Sequence, residues 1–417
     1  MPAYASQDLA PFLNRVEPLV AQVRDAYAIL SVDIDHFRQL SVSLDAEETE
    51  QLFRQLVERL KHEIRASDVI ERTGRDGFAI FVNGIASDKR VAGLCQRLLA
   101  AAHEPFQISG RSVLIKLSIG IARQDVVAAP LPELIRRADV ALQFQKASGG
   151  SGFSTFTPSL DEELLRQQTI VGDLAAALDT DRQIIVHYQP LFSRDRLAVV
   201  GHEALVRWRH PTGGWLNPAD FLPQAEATGL IHPLGQYVLD SAARVAIARP
   251  DEFVAVNISP LQCRSVAFAD QAESSVRALG CRPEQFELEI TEHVLLDDEQ
   301  SSQTVQDLRR RGFRIVLDDF GSGYSSLAYL RRFPVDKIKI DRQFITGLGE
   351  DEKSIKIITA VVDLAHALGL KVTAEGVETE RQLQLLQQTD CDELQGFLLG
   401  RPAQMLERTS RNFRAVN

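Results

Sequence analysis

FRIVLDDFGSGYSSLAYL, residues 313–330, opens as a buried strand and ends in groups that no strand core needs. The run FRIVLDD (313–319) is short, apolar and bounded by turn residues, which predicts a strand covered on both faces. It stops on two adjacent aspartates, and Gly-Ser-Gly follows after a single phenylalanine, Phe320. Working outward, the same design recurs in IIVHY (184–188), LAVVGHEALV (197–206), FVAVNIS (253–259), FELEIT (286–291), VDKIKID (335–341), KVTAEG (371–376) and ELQGFLL (393–399). Helical stretches alternate with these runs, the pattern of a parallel sheet with crossover helices. Eight runs over roughly 230 residues predict a closed α/β barrel, whose active groups sit at the C-terminal ends of the strands.

The residues at those ends are Glu203, Asn257, Glu289, Asp318 with Asp319, Lys339, Glu375 and Gln395. Closed into a barrel, they converge on one rim. Carboxylates gathered there repel one another and raise their own pKa values unless cations compensate. Hard divalent ions with oxygen ligands suit the set, and Mg²⁺ or Mn²⁺ fits better than zinc because no Cys or His joins it. Two such ions could activate a water and stabilise the leaving oxygen of a phosphodiester, with Lys339 as a positioned cation or proton handler. A single acid at a strand end can be a helix cap or the partner of an arginine; a whole series of them is not explained that way. The Gly-Ser-Gly loop after Asp319 suits a lid that orders around metal and substrate.

The first 150 residues follow another plan. AYAILSVD (26–33) predicts a buried strand, 46–65 a helix, and VIERTGRDGFAIFV (69–82) a hairpin turning at Gly74 to Gly77. A helix over 88–102, the strand VLIKLSIGIA (113–122) and a helix over 131–146 complete an α/β domain, closed by a Gly- and Ser-rich segment at 147–158. Residues 161–178 have helical periodicity, as a connecting helix or as the first helix of the second domain. We divide the chain at 1–157, 158–180 and 181–417.

Composition bounds the partners. The formal charge of −11 argues against a broad nucleic-acid-binding or anionic-membrane surface. The cysteines, 95, 263, 281 and 391, have no paired spacing and signal neither zinc nor disulfides. No apolar run reaches the ~20 residues of a membrane helix, and no signal peptide stands at the start, so a cytoplasmic protein without a membrane segment is expected.

With these motifs in hand, residues 181–402 resemble the EAL phosphodiesterase family. Glu203-Ala204-Leu205 lies within GHEALVRWRHP, and YQP (188–190), VNIS (256–259), ELEITE (287–292), DDFGSGYSSL (318–327), KIKID (337–341), AEGVE (374–378) and QGFLLGRP (395–402) follow in the family's order. The resemblance implies a modified (β/α)8 barrel that hydrolyses cyclic di-GMP to linear pGpG with two Mg²⁺ or Mn²⁺ ions. It implies metal ligation by Glu203, Asn257, Glu289, Asp318, Asp319 and Glu375. Lys339 would assist the attacking water, Gln395 would support that water and the site's geometry, and Glu292 would anchor the loop after Asp319. Gln189, Leu205, Arg207, Asp341 and Glu378 match substrate-contacting positions, and a homodimer through the barrel is implied. No catalytic position departs from the pattern.

The N-terminal half resembles a damaged member of the GGDEF diguanylate cyclase family, an α/β domain with a mainly antiparallel central sheet. LAPFLNR (9–15), VDIDHFR (32–38), LSIGIA (117–122) and ADVALQFQK (138–146) match its scaffold. Where GGDEF is expected stands Gly74-Arg75-Asp76-Gly77-Phe78. Asp33 and Asp76 keep possible metal ligands, but Gly77 removes the second acid and Arg75 puts a bulky cation into the turn. Ser41, Val42 and Glu50 replace the guanine-contacting Asn, Asp and Asp. The implied role is regulatory, without cyclase activity. Arg65 and Asp68 lie at the spacing of the family's RxxD site for cyclic di-GMP, a pattern that a local interaction at a helix end would also produce. An alternative for the whole chain is a cyclic di-GMP receptor that signals to a protein partner without turnover.

Overall fold

The computed structural model of the chain describes residues 9–22, 26–35, 37–85, 87–124, 129–180, 183–291, 294, 299–321, 335–349 and 352–405. Two compact units divide it, Met1–Gln168 and Thr169–Asn417. Among the described residues no helix is long and apolar enough to cross a membrane, and all four cysteines are buried free thiols.

The first unit has strands β1 (Ala28–Ile34), β2 (Val69–Thr73), β3 (Gly77–Val82), β4 (Phe106–Ile108), β5 (Arg111–Val113), β6 (Leu117–Arg123) and β7 (Gly152–Thr155). Five form one sheet in the order β2-β3-β1-β6-β7, antiparallel except for β6 with β7, while β4 and β5 form a separate hairpin. The continuous apolar run of β1 reflects burial on both faces. Leu30 and Val32 pack with Phe53, Leu56, Leu94 and Leu98 from helices 46–63 and 88–103. Ile29 faces the other way, toward Phe12, Val16 and Ile135 from helices 10–20 and 131–147. The expected hairpin at 69–82 is present. The expected strand over 113–122 is broken between β5 and β6, and the Gly- and Ser-rich closing segment contains β7.

Helix Pro158–Thr180 contains the division between the units. On its second half, Ile170, Leu174 and Ala177 are buried with Ile184, Trp208 and Phe221 of the second unit.

The second unit has β8 (Ile184–Ser193), β9 (Val199–His210), β10 (Gly214–Leu216), β11 (Phe253–Asn257), β12 (Phe286–Thr291), β13 (Arg314–Phe320), β14 (Lys337–Ile340), β15 (Lys371–Ala374) and β16 (Glu393–Leu394). β9 and β11 to β16 pair in parallel, and β8 closes the ring between β16 and β9, antiparallel to both. This eight-stranded barrel departs from an all-parallel sheet at β8 because only residues 194–198 separate β8 from β9. That span makes a hairpin and is too short for a crossover helix. β10 adds a ninth strand to the edge of β9. Alternate residues such as Leu288, Ile290, Ile315, Leu317, Ile338, Ile340 and Val372 share one apolar core with the surrounding helices. Their neighbours in sequence point into the barrel, and there the polarity reverses.

Candidate active site

Strand period puts Glu289, Asp318 and Lys339 on the inward face near the C-terminal ends of β12, β13 and β14, and Glu203 level with them part-way along β9, where its pairing with β11 ends; Glu375 and Gln395 lie just beyond β15 and β16. Lys339 is their hub. Its Nζ lies 2.6 Å from Glu375 Oε1, 2.9 Å from Glu289 Oε1, 3.5 Å from Glu203 Oε2 and 3.6 Å from Asp318 Oδ1. Glu203 is held from two further sides: Asn257 Nδ2 donates to Oε1 at 2.9 Å and Gln395 Nε2 to Oε2 at 2.7 Å. Gln395 can take its place because Gly396 crosses the backbone of Val377, where a Cβ would fall 2.1 Å from a carbonyl oxygen.

Asp318 and Asp319 should face opposite ways on a regular strand. The β13–β14 register breaks between Leu317 and Phe320, and Asp319 adopts a left-handed φ of 54°. A bulge of this kind re-aims a side chain at the cost of local strain. One carboxylate oxygen from each of Asp318, Asp319 and Glu375 consequently lies within 4.8 Å of the others, a group that could hold a metal ion.

The electrostatics register an excess of acid. Burial, with Glu203 next, raises Glu289 well above the usual carboxylate range. Glu375 is pushed up to about 7 by burial against the pull of Lys339, and Asp319 to about 6 by burial and then Asp318. Burial also acts on Glu203, but Lys339 and the two amides outweigh it and its pKa falls. Lys339 is raised, since the surrounding carboxylates overcome its desolvation. Glu289 Oε2 and Gln395 Oε1 are buried with no hydrogen-bond partner among the described residues. Unsatisfied acceptors at that depth are costly, and ligation by a cation would satisfy them. The donor set, oxygen only and mostly carboxylate, therefore fits a hard divalent ion.

The remaining expected residues divide. Gln189 is buried on β8 opposite Glu203, and its Nε2 donates to the Gly400 carbonyl at 3.0 Å. Leu205 and Arg207 continue β9 beyond Glu203, half-buried. Burial lowers the Arg207 pKa, and the charge of Glu203 partly restores it. Asp341 caps helix 342–346, accepting from the Gln343 N–H at 2.7 Å, and also perturbs Asp319. Glu378 is exposed, 3.6 Å from Arg342. Glu292 and most of the Gly-Ser-Gly loop lie outside the described residues. A deeper layer escaped the sequence reading altogether: Glu287, Lys337, Thr373 and Glu393 are buried in the barrel two residues before Glu289, Lys339, Glu375 and Gln395. The alternation in ELEI and KIKI is its sequence signal.

In the first unit, Asp33 at the end of β1 faces Gly77 across the sheet, and Lys146 Nζ lies 2.6 Å from its Oδ1. Burial, partly offset by Lys146, raises Asp33 to about 6. Among the described residues, Asp68 makes no ion pair with the Arg65 guanidinium. Its buried carboxylate accepts backbone N–H groups of Arg65 at 2.8 Å and Asn83 at 3.1 Å.

Comparison with known proteins follows the same division. The EAL domain family model matches residues 171–402, and the model for the diguanylate cyclase GGDEF domain matches residues 10–152. The bifunctional diguanylate cyclase/cyclic di-GMP phosphodiesterase MucR of Pseudomonas aeruginosa is 37% identical over 398 residues, covering 93% of this chain and 58% of its own length. The cyclic di-GMP phosphodiesterase NbdA of the same organism is 35% identical over 395 residues, covering 93% of this chain and 50% of its own. The chain thus spans about half the length of the curated relatives it matches. The solved structure of the PaMucR phosphodiesterase in complex with c-di-GMP is 41% identical, with a TM-score of 0.53, and covers 57% of this chain and 98% of that one. Two domain types in tandem, and a family match to more than half its length, show that the chain belongs to the EAL domain family and carries a GGDEF domain ahead of its barrel.

Proposed function

We propose that the barrel hydrolyses cyclic di-GMP to linear pGpG at a site holding two Mg²⁺ or Mn²⁺ ions. The observation that carries this reading is the imbalance of charge: five carboxylates (Glu203, Glu289, Asp318, Asp319 and Glu375) surround one ammonium, Lys339. Fully ionised, the group has a formal charge of −4, which two divalent ions would cancel. Such ions, when bound, supply an acidified water and charge stabilisation of the phosphodiester. Glu203, Asn257, Glu289, Asp318, Asp319 and Glu375 hold them. Lys339 orients the attacking water and carries positive charge where negative charge develops. Gln395 keeps Glu203 in one rotamer and supports that water. Arg207, with Gln189, Leu205, Asp341 and Glu378, contacts the nucleotide, the guanidinium fork taking phosphate oxygens. Glu292 anchors the loop after Asp319.

Residues 1–157 then form a regulatory GGDEF domain without cyclase activity, 158–180 connect it, and 181–417 hydrolyse the messenger in the cytoplasm, as a homodimer through the barrel. Names of relatives support the substrate, since NbdA is called a cyclic di-GMP phosphodiesterase and MucR a bifunctional diguanylate cyclase/cyclic di-GMP phosphodiesterase. The test is purified protein with cyclic di-GMP and Mg²⁺ or Mn²⁺, beside Glu203→Ala. Linear product from the wild type alone is expected. Binding without product in either metal would replace this reading with the receptor that signals to a partner.

A further inference from the structure

Beneath the carboxylate ring lies a second buried polar layer with no part in the hydrolysis described above. Lys337 Nζ donates to Glu287 Oε2 and to Glu393 Oε2, each at 2.6 Å, and Thr373 Oγ1 donates to the same Glu393 oxygen at 3.0 Å. The ammonium also sits 4.2 Å from the centre of the Phe253 ring, so two carboxylates and an aromatic face surround it. Lys337 and Glu287 are each 2% exposed, Glu393 5% and Thr373 0%.

Stability does not account for such a layer. Two acids and a lysine in a barrel interior lose their hydration, and well-packed apolar replacements are often as stable or more so. Beside the cluster the same barrel uses the apolar solution, where Leu191, Phe253 and Ala255 pack together. What a buried ionic cluster adds is direction, because its hydrogen bonds are met in one register only. The register here is informative. Each member precedes a residue of the upper site by two positions, about 6.6 Å of extended chain, within β12 and β14 and across the ends of β15 and β16. Lys337 precedes Lys339, Glu287 precedes Glu289, Thr373 precedes Glu375 and Glu393 precedes Gln395.

We propose that Lys337, Glu287, Glu393 and Thr373 are positioning residues that lock β12, β14, β15 and β16 together from inside, so that the acids above them converge on divalent cations. This rests on reading the upper site as a metal centre, and is independent of which phosphodiester is cut. A misplacement of ~1 Å can cost ~100-fold in rate, so a modest loosening should be measurable.

The test is the neutral layer Lys337→Met/Glu287→Gln/Glu393→Gln, which leaves no buried charge unpaired; Arg314, 3.7 Å from Glu287, is exposed and stays hydrated. In the full chain we expect a melting temperature at or above that of wild type and a Kd for Mn²⁺, by calorimetric titration, raised about tenfold. We expect kcat for cyclic di-GMP to fall about 100-fold with KM within about threefold. Wild-type Mn²⁺ affinity in the folded triple variant overturns the proposal. If that variant does not fold, Thr373→Val decides: about threefold weaker Mn²⁺ binding, restored in Thr373→Ser, supports the positioning role, and unchanged binding in Thr373→Val overturns it. Absence of turnover by the wild type would sink the phosphodiesterase reading, while the Mn²⁺ comparison would still decide this one.

Discussion

Both units place an aspartate at a strand end near a lysine, and the two arrangements differ in their balance of charge. In the barrel, Lys339 Nζ has four carboxylates within 3.6 Å, and Asp319 stands beside them. In the first unit, Asp33 meets Lys146 at 2.6 Å, and the position opposite is Gly77, which offers no second acid. An ammonium among five acids leaves a strong demand for divalent cations; in the first unit Lys146 pairs with Asp33, and Asp76 and Asp35 add only the smallest contributions to the raised Asp33 pKa, which leaves a weaker demand. On the proposed reading the first unit keeps the scaffold of a metal site with a weaker demand for the metal, and the balance of acids against cations at the two sites is what supports that reading.

The largest expected effect breaks the barrel's side of this contrast. Glu203→Ala should reduce cyclic di-GMP turnover by at least ~1,000-fold, because it removes a ligand and frees two amides. Asp33→Ala should leave turnover within about twofold, measured by chromatographic product assay. A similar loss in both variants would erase the distinction. Lys339→Ala comes next, slowing turnover by ~100- to 10,000-fold. Nucleotide binding should survive, since on the proposed reading Arg207 and the metals would still hold phosphate, and equilibrium binding would reveal a loss.

A pH series sharpens the contrast. Glu375 near 7 and Asp319 near 6 lie above the ordinary carboxylate values of 4.5 and 3.8. Between those ordinary values and the raised ones, the metal-free fold binds more protons than the unfolded chain, so its stability should decline as pH rises to about 7. Mn²⁺ must displace those protons. Its affinity should therefore weaken as pH falls below about 7, and the rise in melting temperature that it gives should be greatest above that pH. Pairs of melting curves with and without Mn²⁺ from pH 5 to 8 check both signs.

The smallest effect concerns the RxxD spacing. Asp68→Ala removes an acceptor from two backbone N–H groups and should destabilise the chain by ~1–3 kcal/mol, whereas Arg65→Ala should change stability by less than ~0.5 kcal/mol. Thermal denaturation distinguishes this from a ligand site, in which both substitutions would alter cyclic di-GMP binding and neither need affect folding.

The sequence disclosed the barrel and its acids because burial on two faces makes strands short apolar runs, and the acids come where those runs stop. Asp318 and Asp319 were both legible as candidate ligands, but not the bulge that brings them to one site, since a left-handed residue 319 depends on the register of β13 against β14. The antiparallel β8 was hidden because IIVHY and LAVVGHEALV read equally well as parallel or hairpin strands. The short strand at 152–155 was masked by its Gly and Ser content. The layer at Lys337 was missed for a different reason: KIKI and ELEI look like strands with one wet face, and only closure of the ring makes that face an interior.

The most direct test gives the purified chain cyclic di-GMP in one tube and GTP in another, each with Mn²⁺, and follows both nucleotides. Linear pGpG is expected in the first and no cyclic di-GMP in the second. Intact cyclic di-GMP in the first tube, or its synthesis in the second, would contradict the proposed function.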